Sequence, residues 1–317
     1  MTEKRIILAG GSGFIGRALG GRLIAQGYDV VILTRQPNLY KGPGLAVAWD
    51  AQTPGDWVEQ IDGAHAIVNL TGKNVNCHYN ATNRRLIVES RVNSVKILNR
   101  AISQCADPPK VFIQASGFGL YGDTGDRICD ESTEPGEDFL AQTCVQWEQA
   151  FNDGQTPQTS STRRVLLRIG VVLGKGGGAL VPLTILTRLF LGGAAGNGRQ
   201  YFSWVHIKDI NRMVLYAITD EKISGAFNAV APNPVTNADC MKQLRRVLHR
   251  PWSPPTPSFL VRIGAWMMGT DASLALFSCR CVPKRLTESG FEFQFNDLAT
   301  ALEDLFSKSG IPQKKET

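Results

Sequence analysis

The chain has 317 residues, 43% hydrophobic and 20% charged, which excludes a disordered segment, a collagen-like fibre and a coiled coil. At this length roughly three quarters of the unfolded surface can be buried, so the fold needs no disulfide or metal staples. Thirty-four Lys and Arg against 28 Asp and Glu give a net charge of +6, but the cations come as scattered doublets rather than the clustered stripe a nucleic acid requires.

Residues 5–9 (Arg-Ile-Ile-Leu-Ala) read as a short apolar strand. Residues 14–26 follow with helical spacing through Ile15, Leu19, Leu23 and Ile24. Further strands are predicted at 29–33, 45–49, 64–70 and 110–115, with a long helix at 80–104 between the last two. Apolar strands alternating with helices predict an α/β fold. Its parallel sheet is covered on both faces and doubly wound by right-handed crossovers, hence Rossmann-like. Beyond Arg163 the pattern gives a strand at 165–169, a helix at 178–191, a Gly-rich loop at 192–198 and a strand at 201–205. A helix from about 207, a short strand at 227–230 and a helix at 236–248 come next. Four prolines in 250–257 predict an extended connection. Helices at 258–268 and 296–306 close the chain before a polar tail at 308–317. This organisation predicts a nucleotide-binding domain over 1–170, completed by about 203–230. A smaller α+β lobe on the substrate side takes 171–202 and 231–317.

The apolar stretch 178–196 contains Arg188 and several glycines. It falls short of the roughly 20 apolar residues of a membrane span, so a buried amphipathic helix at 180–191 is expected and no membrane partner. The seven cysteines include no Cys-x-x-Cys pair, and only four histidines accompany them. Neither a metal site nor a disulfide framework is expected; reduced thiols in a cytoplasm fit this usage. Met1 to Arg5 lead straight into the first strand, without the apolar run of a signal peptide.

The strongest chemical signal is Gly10-Gly11-Ser12-Gly13-Phe14-Ile15-Gly16, placed between a strand and a helix as a dinucleotide site requires. Gly10 permits the tight turn, Gly13 admits a pyrophosphate to the backbone and Gly16 lets the helix pack on the strand. The helix N-terminus offers free N–H groups to the phosphates. The second strand ends Leu33-Thr34-Arg35. It lacks the carboxylate that an NAD site presents to the ribose 2′-hydroxyl. Arg35 and Thr34 suit a 2′-phosphate instead, so the expected cofactor is NADP(H). Asp50, ending the third strand, either meets the adenine edge or caps a helix.

These residues resemble the extended short-chain dehydrogenase/reductase family. The likeness continues through Asn69-Leu70-Thr71-Gly72, where the family's backbone borders the cofactor ribose, and through Ser116 to Gly122, Arg168 to Gly174 and Trp204 to Asp209. An atypical branch, often labelled the epimerase family, is closer still. It joins an NAD-dependent epimerase/dehydratase-like domain to a C-terminal domain of unknown function. Here Gly196-Asn197-Gly198-Arg199-Gln200, Pro283-Lys284-Arg285-Leu286 and Gly290-Phe291 match that branch. The resemblance implies that Arg91 and Arg168 contact NADP; the plain alternative for each is an ion pair at an element's end. Arg199 and Trp204 fall on the implied substrate side, and a homodimer is implied for some members.

The chemical departure is the missing catalytic dyad. The parent family uses Tyr-x-x-x-Lys, in which the lysine lowers the tyrosine pKa across one helix face. No tyrosine of this chain has a lysine four residues later. The expected helix places Leu140 and Cys144 at those positions, and Gly117 at the family's serine position. Tyr121 and Ser116, at the carboxyl end of the fifth strand, are the remaining hydroxyl candidates for catalysis; Tyr121 alternatively packs the loop. Two functions stay open: an NADP-dependent oxidoreductase or epimerase-like enzyme on a small molecule, or a non-catalytic NADP(H)-binding sensor or scaffold.

Overall fold

The structure is a computed structural model and describes residues 4–307; the polar tail expected at 308–317 lies outside them. The first half lays down strands β1 (Arg5–Ala9), β2 (Asp29–Thr34), β3 (Leu45–Ala48), β4 (Ala66–Asn69) and β5 (Val111–Gly117). Between and after them run helices α1 (Phe14–Ile24), α2 (Ala81–Ser103) and α3 (Phe139–Asn152). Caps fix the helix starts: Asn80 Oδ1 accepts from Asn83 N, and Asp138 Oδ1 from Leu140 N and Ala141 N. The chain continues through β6 (Arg163–Ile169), β7 (Val171–Gly174), helix α4 (Leu180–Arg188), β8 (Trp204–His206), α5 (Ile207–Thr219) and β9 (Gly225–Ala229). Helices α6 (Asn237–Val247), α7 (Ser258–Met267) and α8 (Leu298–Phe306) complete the longer elements.

The central sheet has seven strands in the order β9-β6-β5-β4-β1-β2-β3, all paired in parallel. The order reverses between β1 and β4, which opens a crevice at their carboxyl ends. Alternation along each strand splits the core. Ile6, Leu8, Val30 and Ile32 pack with α1 and α5 on one face; Ile7, Ala9, Val31 and Leu33 pack with α2 and α3 on the other.

After Ile169 the chain leaves this sheet at Gly170, where a Cβ would come within 2.8 Å of the Ser203 carbonyl oxygen. The following β7 pairs in parallel with β8. A smaller core gathers there from Leu173, Trp204, Met241, Leu244, Phe295 and Leu302. The strand expected at 201–205 is two pieces: Tyr201–Phe202 pairs antiparallel with Val235–Thr236, and Trp204 begins β8. Ser203 divides them, its buried hydroxyl donating to Cys279 O and accepting from Cys281 N.

Candidate functional site

The glycine turn lies at the carboxyl end of β1. Gly10 has φ +70°, a left-handed conformation that glycine enters freely, and its N–H donates to Leu33 O at 3.0 Å. A Cβ there would meet Thr71 at 2.9–3.0 Å, and one at Gly11 would meet Leu8 at 2.8 Å. Gly16 packs against the backbone of Gly11, with 2.4 Å left for a Cβ. It therefore seals the turn rather than the strand, a correction to its expected role; Gly11 is the residue that touches the strand. Gly13 differs from all three. A Cβ on it would meet only Gly10 O, at an ordinary 3.5 Å, so the fold does not require glycine at this place. Gly13 is also the N-cap of α1 and supplies no side-chain cap. The first-turn amides, including those of Phe14, Ile15 and Gly16, lack carbonyl partners within the helix. The residues present fit a pyrophosphate here: an open face, free donors and the positive end of a helix dipole. The Phe14 ring turns away and packs against Gly174, Gly177 and Gly178.

At the end of β2, Thr34 Oγ1 donates to Ser12 Oγ at 3.0 Å, and Arg17 Nε donates to Ser12 O at 2.9 Å. Arg35 follows Thr34 and is exposed. Ser12, Thr34, Arg17 and Arg35 thus adjoin one another at the edge of the crevice. Arg17 was missed by sequence reasoning; its position one turn into α1 was the available signal. Asp50 makes no hydrogen bond to this group. Its carboxylate accepts from Gln52 N, Thr53 N and Thr53 Oγ1 at 2.7–2.8 Å, which holds it below the usual carboxylate range. It closes a turn and caps no helix, and it stays exposed.

Beyond β4, Leu70 N donates to Ala9 O and Thr71 N to Asn69 Oδ1. The Thr71 hydroxyl is buried with no hydrogen-bond partner. Gly72 makes room for Arg91: a Cβ there would lie 3.1 Å from the guanidinium carbon. Arg91 donates to Lys73 O and Ile87 O and lies over the Trp147 ring at 5.0 Å. Burial lowers its pKa, and no carboxylate among the described residues pairs with it. A half-buried cation that meets two carbonyls but no counter-ion fits an anionic ligand.

The end of β5 corrects the expected catalytic pair. Ser116 Oγ donates to Glu148 Oε1 at 2.8 Å. Glu148 also receives two bonds from Arg168, at 3.1 and 2.9 Å. Arg168 donates a third to the Tyr121 hydroxyl at 3.0 Å, which in turn donates to Asn228 Oδ1 at 2.6 Å. Tyr121 is 1% exposed, and burial raises its pKa well above the ordinary tyrosine value despite Arg168. Burial opposes the charge on Arg168, but bonding to Glu148 outweighs it and raises the pKa. Ser116, Tyr121 and Arg168 therefore form a closed network under the sheet's end, so neither hydroxyl faces a substrate and Arg168 is not free for NADP. Glu148 and Asn228 were missed, because their partners lie far away in sequence.

At the dyad positions, Leu140 lies against Gly119, and the Cys144 thiol is pushed up to about 11 by burial and Glu148. Arg199 is exposed in its glycine loop. Trp204 is not at a substrate face: it is 0% exposed and its Nε1 donates to Asn233 O. Another missed residue is Tyr79, on the loop between β4 and α2. Its hydroxyl is buried without a hydrogen-bond partner, and Arg91 is near enough to act on its pKa.

A doubly wound sheet with this cradle defines an NAD(P)-binding protein of the epimerase and short-chain dehydrogenase kind. The chain belongs to the NAD dependent epimerase/dehydratase family, whose sequence profile matches residues 6–229; a domain of unknown function, DUF1731, matches residues 256–305. It is similar to the epimerase family protein YfhF of Bacillus subtilis, 35% identical over 95% of this chain and 98% of that one. The crystal structure of human epimerase family protein SDR39U1 with NADPH superposes with a TM-score of 0.84, at 31% identity over 96% of this chain and 99% of that chain. A nucleoside-diphosphate sugar epimerase from Corynebacterium glutamicum gives 0.76 at 33% identity, over 96% of this chain and 58% of that one.

Among the described residues no helix is long and apolar enough to cross a membrane, and no group of His, Cys, Asp or Glu could hold a metal ion.

Proposed function

We propose that the chain is an NADP(H)-dependent oxidoreductase or epimerase-like enzyme acting on a small molecule that carries negative charge. The observation that carries this reading is the open face of Gly13 in a turn whose other glycines are tightly packed. The nucleotide bound in the human relative supports NADP, as does the Ser12, Thr34, Arg17 and Arg35 group around the end of β2. When bound, the nicotinamide supplies or accepts hydride. Arg91, and Arg199 from the smaller lobe, would hold an anionic group. Tyr79 takes the place of Tyr121 as candidate proton donor. Unlike Tyr121, its hydroxyl has no hydrogen-bond partner among the described residues, so it is free to donate a hydrogen bond to a substrate oxygen; burial, which raises its pKa, makes it a donor rather than a base at neutral pH.

The test is turnover of NADPH with a panel of anionic carbonyl compounds. The expected outcome is that Tyr79→Phe lowers kcat by about 10²-fold or more, whereas Tyr121→Phe leaves kcat within a few fold. Turnover that vanishes only with Tyr121→Phe would sink the assignment. For the cofactor, Arg35→Ala should weaken NADP by about 1.5–3 kcal/mol and NAD much less, read by calorimetry; equal losses mean Arg35 does not meet the 2′-phosphate. The closed Ser116–Glu148–Tyr121 network favours a second reading, a nucleotide-binding sensor. Tight NADPH binding with no turnover, together with a partner captured only when NADPH is present, would select it.

A further inference from the structure

Helix α7 spends little of itself on packing. Ala265 is buried and Val261 and Gly264 are half-buried, but Phe259, Leu260, Ile263, Trp266 and Met267 are exposed, the last two by 72% and 74%. The exposed side chains recur at helical spacing and make one outward apolar face. The segment leading into α7 adds to it, with Trp252 74% exposed. That segment runs beside the end of α4. Ser253 Oγ donates to Phe190 O, the Arg250 guanidinium lies over the Phe190 ring at 5.2 Å, and Thr256 N donates to Ala194 O. Leu189, Phe190 and Leu191 are themselves exposed there. An apolar surface of this extent marks an interaction site.

Charge selects the occupant. No Asp or Glu stands between Asp153 and Asp209, or between Asp239 and Asp271, in the two stretches that build this surface; beside Trp252, Lys242, Arg245, Arg246 and Arg250 line one hollow in which Asp239 is the single carboxylate. The two stretches contribute exposed Arg188, Lys242, Arg246 and Arg262, and half-buried Arg250. A twofold contact between two copies uses the same patch on both and would set these cations against one another. A lipid surface bearing negative headgroups takes exposed apolar rings and cations together, the composition of a helix lying in the interface. We infer that α7, Trp252 and the 189–191 turn seat the protein on an anionic lipid surface. The expectation of no membrane partner rested on the lack of a spanning segment, which interfacial binding does not need.

The experiment is co-sedimentation of the full chain with phosphatidylglycerol–phosphatidylcholine vesicles and with pure phosphatidylcholine vesicles. Binding is expected to the anionic vesicles alone and to be lost at high salt. Trp266→Glu with Met267→Glu, and separately Arg250→Glu with Arg262→Glu, should each weaken it by about tenfold or more. The melting temperature and the NADPH-induced melting shift of each variant confirm that it is folded. Absence of binding to anionic vesicles, or binding that the folded variants retain, overturns the inference. So does a dimer in sedimentation velocity that Trp266→Glu dissociates, which assigns the face to a second copy.

Discussion

His206 shows how a single residue of a recognisable motif is used for architecture. Its ring is 0% exposed and stacks on Phe295 at 3.9 Å, Nδ1 accepts from Lys208 N to cap α5, and Nε2 lies 3.4 Å from Asp304. Burial lowers its pKa to about 4; Asp304 opposes the shift and Lys208 adds to it. The folded state therefore holds neutral histidine where the unfolded chain, with a pKa near 6.5, takes up a proton. The stability this confers is complete above about pH 6.5 and drains away as pH falls toward 4, on the order of 3 kcal/mol. His206→Asn keeps a capping side chain but cannot titrate. The urea midpoint of the native chain should fall more steeply than that of the variant between pH 6.5 and 4. Parallel profiles would show that His206 is not the titrating group. Asp209, three residues on, is likewise structural: its carboxylate accepts from Gln294 N and Phe295 N. The Val-His-x-x-Asp segment ties α5 to the C-terminal module rather than serving the cofactor.

Among the elements, the β1-turn-α1 unit separates glycines that the fold needs from a glycine that a ligand needs. Gly16→Ala drives a Cβ to 2.4 Å from Gly11 backbone and should cost about 1–3 kcal/mol. Gly13→Ala meets nothing closer than 3.5 Å, so it should cost no more than the roughly 0.5–1 kcal/mol of placing alanine at an N-cap, less than Gly16→Ala, while the NADPH-induced melting shift shrinks. If Gly13→Ala binds NADPH normally, the pyrophosphate does not approach this face. The sequence made this unit legible because strand, turn and helix are contiguous, and the remaining sheet strands are legible from apolar runs bounded by turns. Periodicity carries no information about partners across the chain. It joined Tyr201 to Val205 into one strand, because the buried hydroxyl bonds of Ser203 to Cys279 and Cys281 come from a distant segment. The same limit put Tyr121 and Ser116 in the role of catalysts: their position after β5 is visible, whereas the Glu148, Arg168 and Asn228 side chains that immobilise them come from three other elements. Trp204 failed for a related reason, since an aromatic at a strand start reads alike whether it lines a pocket or fills a core.

At the scale of the whole molecule, the C-terminal module is woven into the nucleotide-binding sheet. Arg285 donates to the carbonyls of Ser224 and Ala226 along the edge strand β9 and lies over Phe227 at 4.4 Å. This covers an edge that would otherwise offer unpaired backbone. Glu131 accepts from Asn228 N of β9 and from Arg285 N, and Lys284 pairs with Asp130 at 3.2 Å. Leu286 and Phe291 are buried in the same core as β1 and α5. Neither part has a separate boundary along which to open, so the protein should unfold as one unit. NADPH at a concentration near 100 times its Kd then contributes about 2.7 kcal/mol, which at this size moves the melting temperature by roughly 4 °C. The shift should be shared by the whole chain: hydrogen exchange under native conditions should slow by the same factor in the core amides of β1 and β4, whose carboxyl ends form the proposed cradle, and in those of α6 and α8, which belong to the smaller core. Protection confined to the sheet, or two separate melting transitions, would show that the lobes are energetically independent and that the contacts of Arg285 and Glu131 do not couple them.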